Sequence, residues 1–181
     1  MTQIPNSEIL ENFCKEYLKP KEDGLIRIYL QDIERIKEQG ISLENLLAYI
    51  HSETGMLMHG SISQITNGTI NSDQRRIFAT NAPIIAILKS IFSNKNTNLR
   101  YSRNVPPVQQ FSFEIHPNKG REYISVNHGY IYLVAPEGFQ PALDSNYEFI
   151  TDLSSVKILG IIETARSDFT QEFKVVESIN A

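Results

Sequence analysis

Residues 55–61, Gly-Met-Leu-Met-His-Gly-Ser, mark the point where the periodicity of the chain changes. Before them the apolar residues recur at helical spacing. After them they come in short runs of the kind that pleated strands bury. The run Met56-Leu57-Met58 reads as a short buried strand. It ends on His59, Gly60 and Ser61, an imidazole, a bare backbone and a small hydroxyl in succession. Each can touch a ligand, so the end of this strand is a candidate site.

Upstream, three helical segments are expected. Ser7 is a capping residue for a segment with Ile9, Leu10, Phe13, Cys14 and Tyr17 on one face, ending before Pro20. A second runs from Gly24 to Gly40 with Ile26, Tyr29, Leu30, Ile33 and Ile36 on one face. Ser42 caps a third, SLENLLAYIH. Downstream, residues 62–74 read as a polar loop and RRIFAT as a strand. Asn81-Ala82-Pro83 opens an apolar helix, because proline suits the first helical turn. Residues 93–108 read as a surface loop. QQFSFEIH alternates Phe111, Phe113 and Ile115 as a strand does. REYISV and YIYLVA read as a hairpin around Asn127-His128-Gly129, and YEFIT, VKILGIIE and QEFKVVE supply three further strands. The expected class is α+β in a single domain, with a helical part at 1–52 and a β-rich core at 53–181.

Composition narrows the function classes. The chain has 181 residues, 21% of them charged, and a net charge of −4. No basic surface large enough to hold a nucleic acid by bulk electrostatics is indicated, although brief catalysis on one remains compatible. Cys14 is the sole cysteine, which rules out an intrachain disulfide and suits a reduced, cytoplasmic setting. No signal-peptide pattern and no apolar run of membrane-spanning length is present, so no membrane association is expected. His-Glu-x-x-His and paired cysteines are absent, so no metal site is expected. No glycine-rich phosphate loop occurs either.

MLMHGS, RRIFATNAP and NYEFITDLSSVKILGIIE, in this order and spacing, resemble the ADP-ribosyltransferase superfamily, in particular its His-Tyr-Glu branch with the poly(ADP-ribose) polymerases. The resemblance spans roughly residues 55–165. It implies a split antiparallel β-sheet core preceded here by N-terminal helices, and NAD as donor of ADP-ribose. The implied site residues are Glu148 and His59 for catalysis, with His59, Gly60, Ser61 and Phe78 holding NAD. The chemistry suits these residue types. Cleavage of the nicotinamide–ribose bond develops positive charge on the sugar, which a carboxylate such as Glu148 stabilises. Gly60 offers bare backbone to the nicotinamide carboxamide, and Ser61 a further hydrogen bond. His59 can bind a ribose hydroxyl while neutral, and Phe78 can stack on the nicotinamide face. Arg75 and Arg76 could meet the pyrophosphate, or form an exposed basic pair.

The departures are also specific. Phe78 stands where the family usually has Tyr, and the following helix shows Ile85, Ile87 and Leu88 where a second stacking Tyr would fall. Asn146 precedes Glu148 by two, where the arginine-modifying branch often has Glu. The resemblance implies a macromolecular acceptor, protein or nucleic acid. For an intracellular effector such as a toxin–antitoxin or phage-defence toxin, it implies a restraining antitoxin or inhibitor protein. The alternative is a binding module of this fold that has lost the chemistry. Two other carboxylates, Glu137 in a turn and Glu163 at a strand end, compete with Glu148. His128-Gly129 repeats the His-Gly pair in what reads as a turn.

Overall fold

The computed structural model describes residues 7–72, 76–93, 97–103, 111–118, 122–143 and 145–176. Helices α1 (Ser7–Tyr17), α2 (Leu30–Lys37), α3 (Leu43–Thr54) and α4 (Pro83–Ile91) alternate with eleven strands among the described residues. The large sheet runs β1 (Ile26–Ile28), β10 (Ser155–Ala165), β7 (His128–Val134), β2 (Leu57–Ser61), β4 (Ile77–Thr80), β9 (Glu148–Thr151), β8 (Gln140–Pro141). Strand β3 (Thr69–Asn71) adds to β10 beside this row. A smaller sheet has the order β11 (Phe173–Val175), β6 (Phe111–Pro117), β5 (Thr97–Arg103). The class is α+β with mixed sheets. Strand β1 runs parallel to β10 and β11 parallel to β6, while the other pairings are antiparallel, so the sheets are mostly antiparallel, as expected, but mixed.

Local signals explain most elements. The Ser42 hydroxyl accepts from the Asn45 N–H at 3.1 Å and starts α3, and Gly55, at φ 69°, ends it in the left-handed region. The segment expected to be one helix from Gly24 divides instead into β1 and α2. Ile26 and Ile28 alternate onto β10, and helical periodicity begins only at Leu30. Tyr29, placed on the apolar face by helical counting, is 41% exposed at the junction. The N-terminus of α2 is held by Asp32, which accepts from the Tyr29 N–H, and by Glu163, which accepts from the Leu30 N–H.

Two loops of the sequence reading contain strands. In β5, Leu99 and Tyr101 alternate inward between polar residues, and in β3 the single buried residue is Ile70. The hairpin expected at REYISV is absent. Both edges of β7 are taken by β2 and β10, and the described residues 122–126 form only one isolated bridge, Phe92 to Ser125. His128 accordingly opens a strand rather than sitting in a turn.

Two apolar layers flank the large sheet. One contains Leu57, Ile77, Ala79, Tyr132, Val134 and Ile158. The other joins α1, α2, α3 and α4 to Met58, Ile131, Leu133 and Ile162, and continues into Phe113 and Ile115 of the small sheet. The N-terminal helices thus belong to this core. Cys14 lies in it, and burial pushes its thiol up to about 11, which keeps it protonated and poorly nucleophilic at neutral pH.

Helix α4 is buried nearly all round and lies directly on β2 and β7. Two glycines permit this approach. A Cβ on Gly60 would sit 2.2 Å from the Ala86 carbonyl oxygen, and one on Gly129 would sit 1.8 Å from that of Ser90. Because backbone cannot yield as a flexible side chain can, Gly129→Ala is expected to cost about 3 kcal/mol, the upper range for overpacking. Urea unfolding checks this, and a loss below about 1 kcal/mol would refute the close approach.

Candidate functional site

The strands that carry the sequence-selected residues are neighbours, in the order β2, β4, β9. One register row crosses all three: Met58 faces Thr80, and Thr80 faces Glu148. Paired residues share a face and neighbours along a strand alternate. Glu148 and Phe78 therefore project from the face that α4 covers, while His59 projects from the other.

Between β2 and β4 the sheet opens. Met58–Thr80 is their one registered pair, and beyond it the strands part. His59 stands in the opening and donates from Nδ1 to the Phe78 carbonyl at 2.7 Å. An imidazole thus satisfies a carbonyl that a strand neighbour would otherwise pair. The bond fixes the tautomer with hydrogen on Nδ1, so Nε2 of the neutral ring is an acceptor. His59 and Phe78, with Ile65, Asn67, Thr69 and Arg76, line a hollow of about 400 Å³.

Glu148 lies on β9, the next strand beyond β4. Its Oε1 accepts from Lys89 Nζ at 2.7 Å and from the Tyr101 hydroxyl at 2.5 Å. Lys89 and Glu148 side chains are each 20% exposed. The Lys89 ammonium also lies 5.8 Å from the centre of the Phe78 ring and 5.4 Å from that of Tyr101. Tyr101 and Glu148 line a second hollow, about 610 Å³, with Arg100, Glu114, Ser145 and Tyr147. Burial first, and then the Glu148 carboxylate, push the Tyr101 phenol well above its ordinary range.

The structure thus joins His59 to Phe78, and Phe78 to Glu148 through Lys89. His59 and Glu148 line different hollows, with β4 between their strands. Gly60 lies under α4, beside the Lys89 Cβ. Ser61 turns its hydroxyl into a local bend, donating to the Ser63 carbonyl at 3.0 Å and accepting from the Ser63 N–H at 3.1 Å. Arg76 pairs with Asp152 at 3.2 Å on the surface, and Arg75 lies outside the described residues. Of the competing carboxylates, Glu163 caps α2, and Glu137 is exposed in a turn.

Lys89 and Tyr101 were not among the residues selected from sequence. A lysine in the last turn of a helix reads as a solvated charge favoured by the helix dipole. Tyr101 stands in a stretch that composition assigns to a loop. Among the described residues, no group of three or more His, Cys, Asp or Glu side chains is arranged to hold a metal ion, and no helix is long and apolar enough to cross a membrane. Comparison with protein families, curated proteins and solved structures finds no match for this chain.

The Tyr101 environment carries a pH dependence. The folded phenol keeps its proton beyond the ordinary value of 10, so folding loses stability once the unfolded chain begins to release it. The contribution is complete below that value and declines above it. Tyr101→Phe is expected to flatten the alkaline loss of stability, read as urea midpoints at about pH 9 and about pH 11. An unchanged slope would show that this phenol does not titrate with unfolding.

Proposed function

We propose that the chain is an NAD-dependent ADP-ribosyltransferase that cleaves the nicotinamide–ribose bond and passes ADP-ribose to a protein or nucleic-acid acceptor. The observation that carries the reading is the opening of the sheet between β2 and β4 at His59, with Phe78 on its far bank and Glu148 one strand beyond. In this reading a dinucleotide bridges the two faces of the sheet at that opening, with His59 on one side and Phe78 and Glu148 on the other. Phe78 is 46% exposed, a state that suits a stacking platform better than a core residue.

Each residue has a stated task in this reading. His59, its ring held by the Phe78 carbonyl, stands beside a ribose of the dinucleotide. Phe78 supports the nicotinamide ring. Glu148 stabilises the oxocarbenium charge on the ribose, where a preorganised charge acts without reorganisation. The hollow beside Glu148 is the place for an acceptor. A role as an intracellular toxin with a protein inhibitor is consistent with this activity and belongs to the same proposal, as does a cytoplasmic setting.

A second reading is favoured by one observation. Lys89 sits on Glu148 and offsets the charge that the reaction requires. A binding module that keeps NAD without cleaving it would tolerate that pairing.

Incubation with NAD labelled in the adenylate part, followed by separation of protein and nucleic-acid fractions, distinguishes the two. Transfer or nicotinamide release is expected from the wild type. Glu148→Ala is expected to reduce it by about 10²–10³-fold, as for loss of one transition-state charge. His59→Ala is expected to weaken NAD binding about three- to tenfold, the worth of one hydrogen bond. Normal turnover in folded Glu148→Ala would remove the mechanism, and NAD binding without turnover in the wild type would select the binding module.

A further inference from the structure

Lys89 occupies a space with the chemistry of a cation site. Its ammonium lies against one carboxylate, Glu148, and near two aromatic rings, Phe78 and Tyr101. Carboxylate and ring faces together attract organic cations, because ring quadrupoles add to the ion pair once water is excluded. The resident cation is tethered. It stands four methylenes from a backbone that Gly60 allows to lie directly on β2.

We propose that Phe78, Tyr101 and Glu148 form a binding site for a flat organic cation of the pyridinium kind, which the Lys89 ammonium fills in the free protein and an incoming ligand displaces. The proposal deepens the reading above and rests on it for the ligand, which would be the cationic nicotinamide ring of NAD. The site itself follows from the distances alone.

The exchange balances in charge. One cation leaves for water as another enters, and Glu148 keeps a positive partner throughout. The ammonium is strongly hydrated and recovers that hydration on leaving, whereas a delocalised pyridinium has little to lose on entering. Access is open, since Phe78 is 46% exposed and Glu148 and Tyr101 line the 610 Å³ hollow. A neutral ligand of the same shape has no such exchange, because displacing Lys89 would leave Glu148 without a counter-charge. Lys89 thus acts as a built-in competitor that admits cations and refuses their neutral analogues. Its departure also turns the Glu148 charge from the lysine to the ligand, so pairing in the free protein and catalysis in the complex become compatible.

The probes are 1-methylnicotinamide, a pyridinium cation, and neutral nicotinamide. Binding to the whole chain is measured by calorimetry for the wild type, Lys89→Met, Lys89→Gln and Glu148→Gln. Lys89→Met keeps the packed stem and loses the charge. Both lysine variants are expected to bind the cation at least about tenfold more tightly, the order of one desolvated cation–π contact, and nicotinamide more tightly as well, since neither ligand then displaces a tethered charge. Glu148→Gln is expected to erase the preference for the cation. An unchanged cation affinity in folded lysine variants overturns the proposal.

A wild-type measurement guards against variants that do not fold. Amine acetylation read by mass spectrometry is expected to increase at Lys89 on addition of 1-methylnicotinamide and not of nicotinamide. No increase under saturation overturns displacement. NAD turnover with an unchanged cation affinity in the lysine variants would reject this site and leave the enzymatic reading standing. A gain in cation affinity without any NAD turnover would support the site and reject that reading.

Discussion

The contact between α4 and the sheet is the constraint from which the arrangement follows. Helix and sheet approach as closely as backbone permits only because Gly60 and Gly129 present no side chain beneath Ala86 and Ser90. The helix is then sandwiched, with α3 packed on it and β2 and β7 below. A helix in that position must be apolar on nearly every side. That accounts for the run Pro83 to Leu88, and for Ser90 turning its hydroxyl to the Ile87 carbonyl and to Thr164 rather than to solvent. It also decides where the one cation of this helix can go. Lys89 emerges at the margin of the packed zone, beside Gly60, and meets Glu148 and the rings there.

The N-terminal helices belong to the same constraint. With one face on β2 and β7, α4 would still expose its opposite face without α3, and α3 in turn is covered by α1. Strand β1 ties this layer to the sheet through β10, and the N-terminus of α2 is held by Glu163 from that strand. Lys37 of α2 adds an ion pair to Asp168, whose side chain is fully buried just after β10. The helical part and the β-rich part therefore share one core.

Elements with a strong period and a clear boundary were legible in the sequence. Ser42 and Gly55 bracket α3, and Pro83 opens α4. Phe111, Phe113 and Ile115 alternate through β6. Short strands were not legible where the sheet supplies their reason. Ile26 and Ile28 become a strand because β10 offers a free edge, and nothing in three residues distinguishes that from the start of a helix. Leu99 and Tyr101 are two inward residues in a polar stretch, and only β6 makes them a strand. The site divides in the same way. Order along the chain selects His59, Phe78 and Glu148, and the sheet places them on neighbouring strands. Lys89 and Tyr101 meet Glu148 across separations of 59 and 47 residues, and neither belongs to a local pattern.

The two His-Gly pairs separate what is structural in such a motif from what can be chemical. Both glycines lie under α4, Gly60 on β2 and Gly129 on β7, so close helix packing accounts for each without any ligand. The glycine therefore carries no information about function. The histidines differ. His128 is largely solvent-facing, and its nearest carboxylate partner is Glu163 at 3.8 Å. His59 stands where two strands part, with one ring nitrogen committed to a main-chain carbonyl at 2.7 Å and its tautomer thereby set. One ring is thus fixed in a single tautomer at a gap in the sheet, whereas the other stands at a strand start with a carboxylate 3.8 Å away. A site at the end of β2 would depend on that histidine and on the opening beside it, not on the glycine that follows.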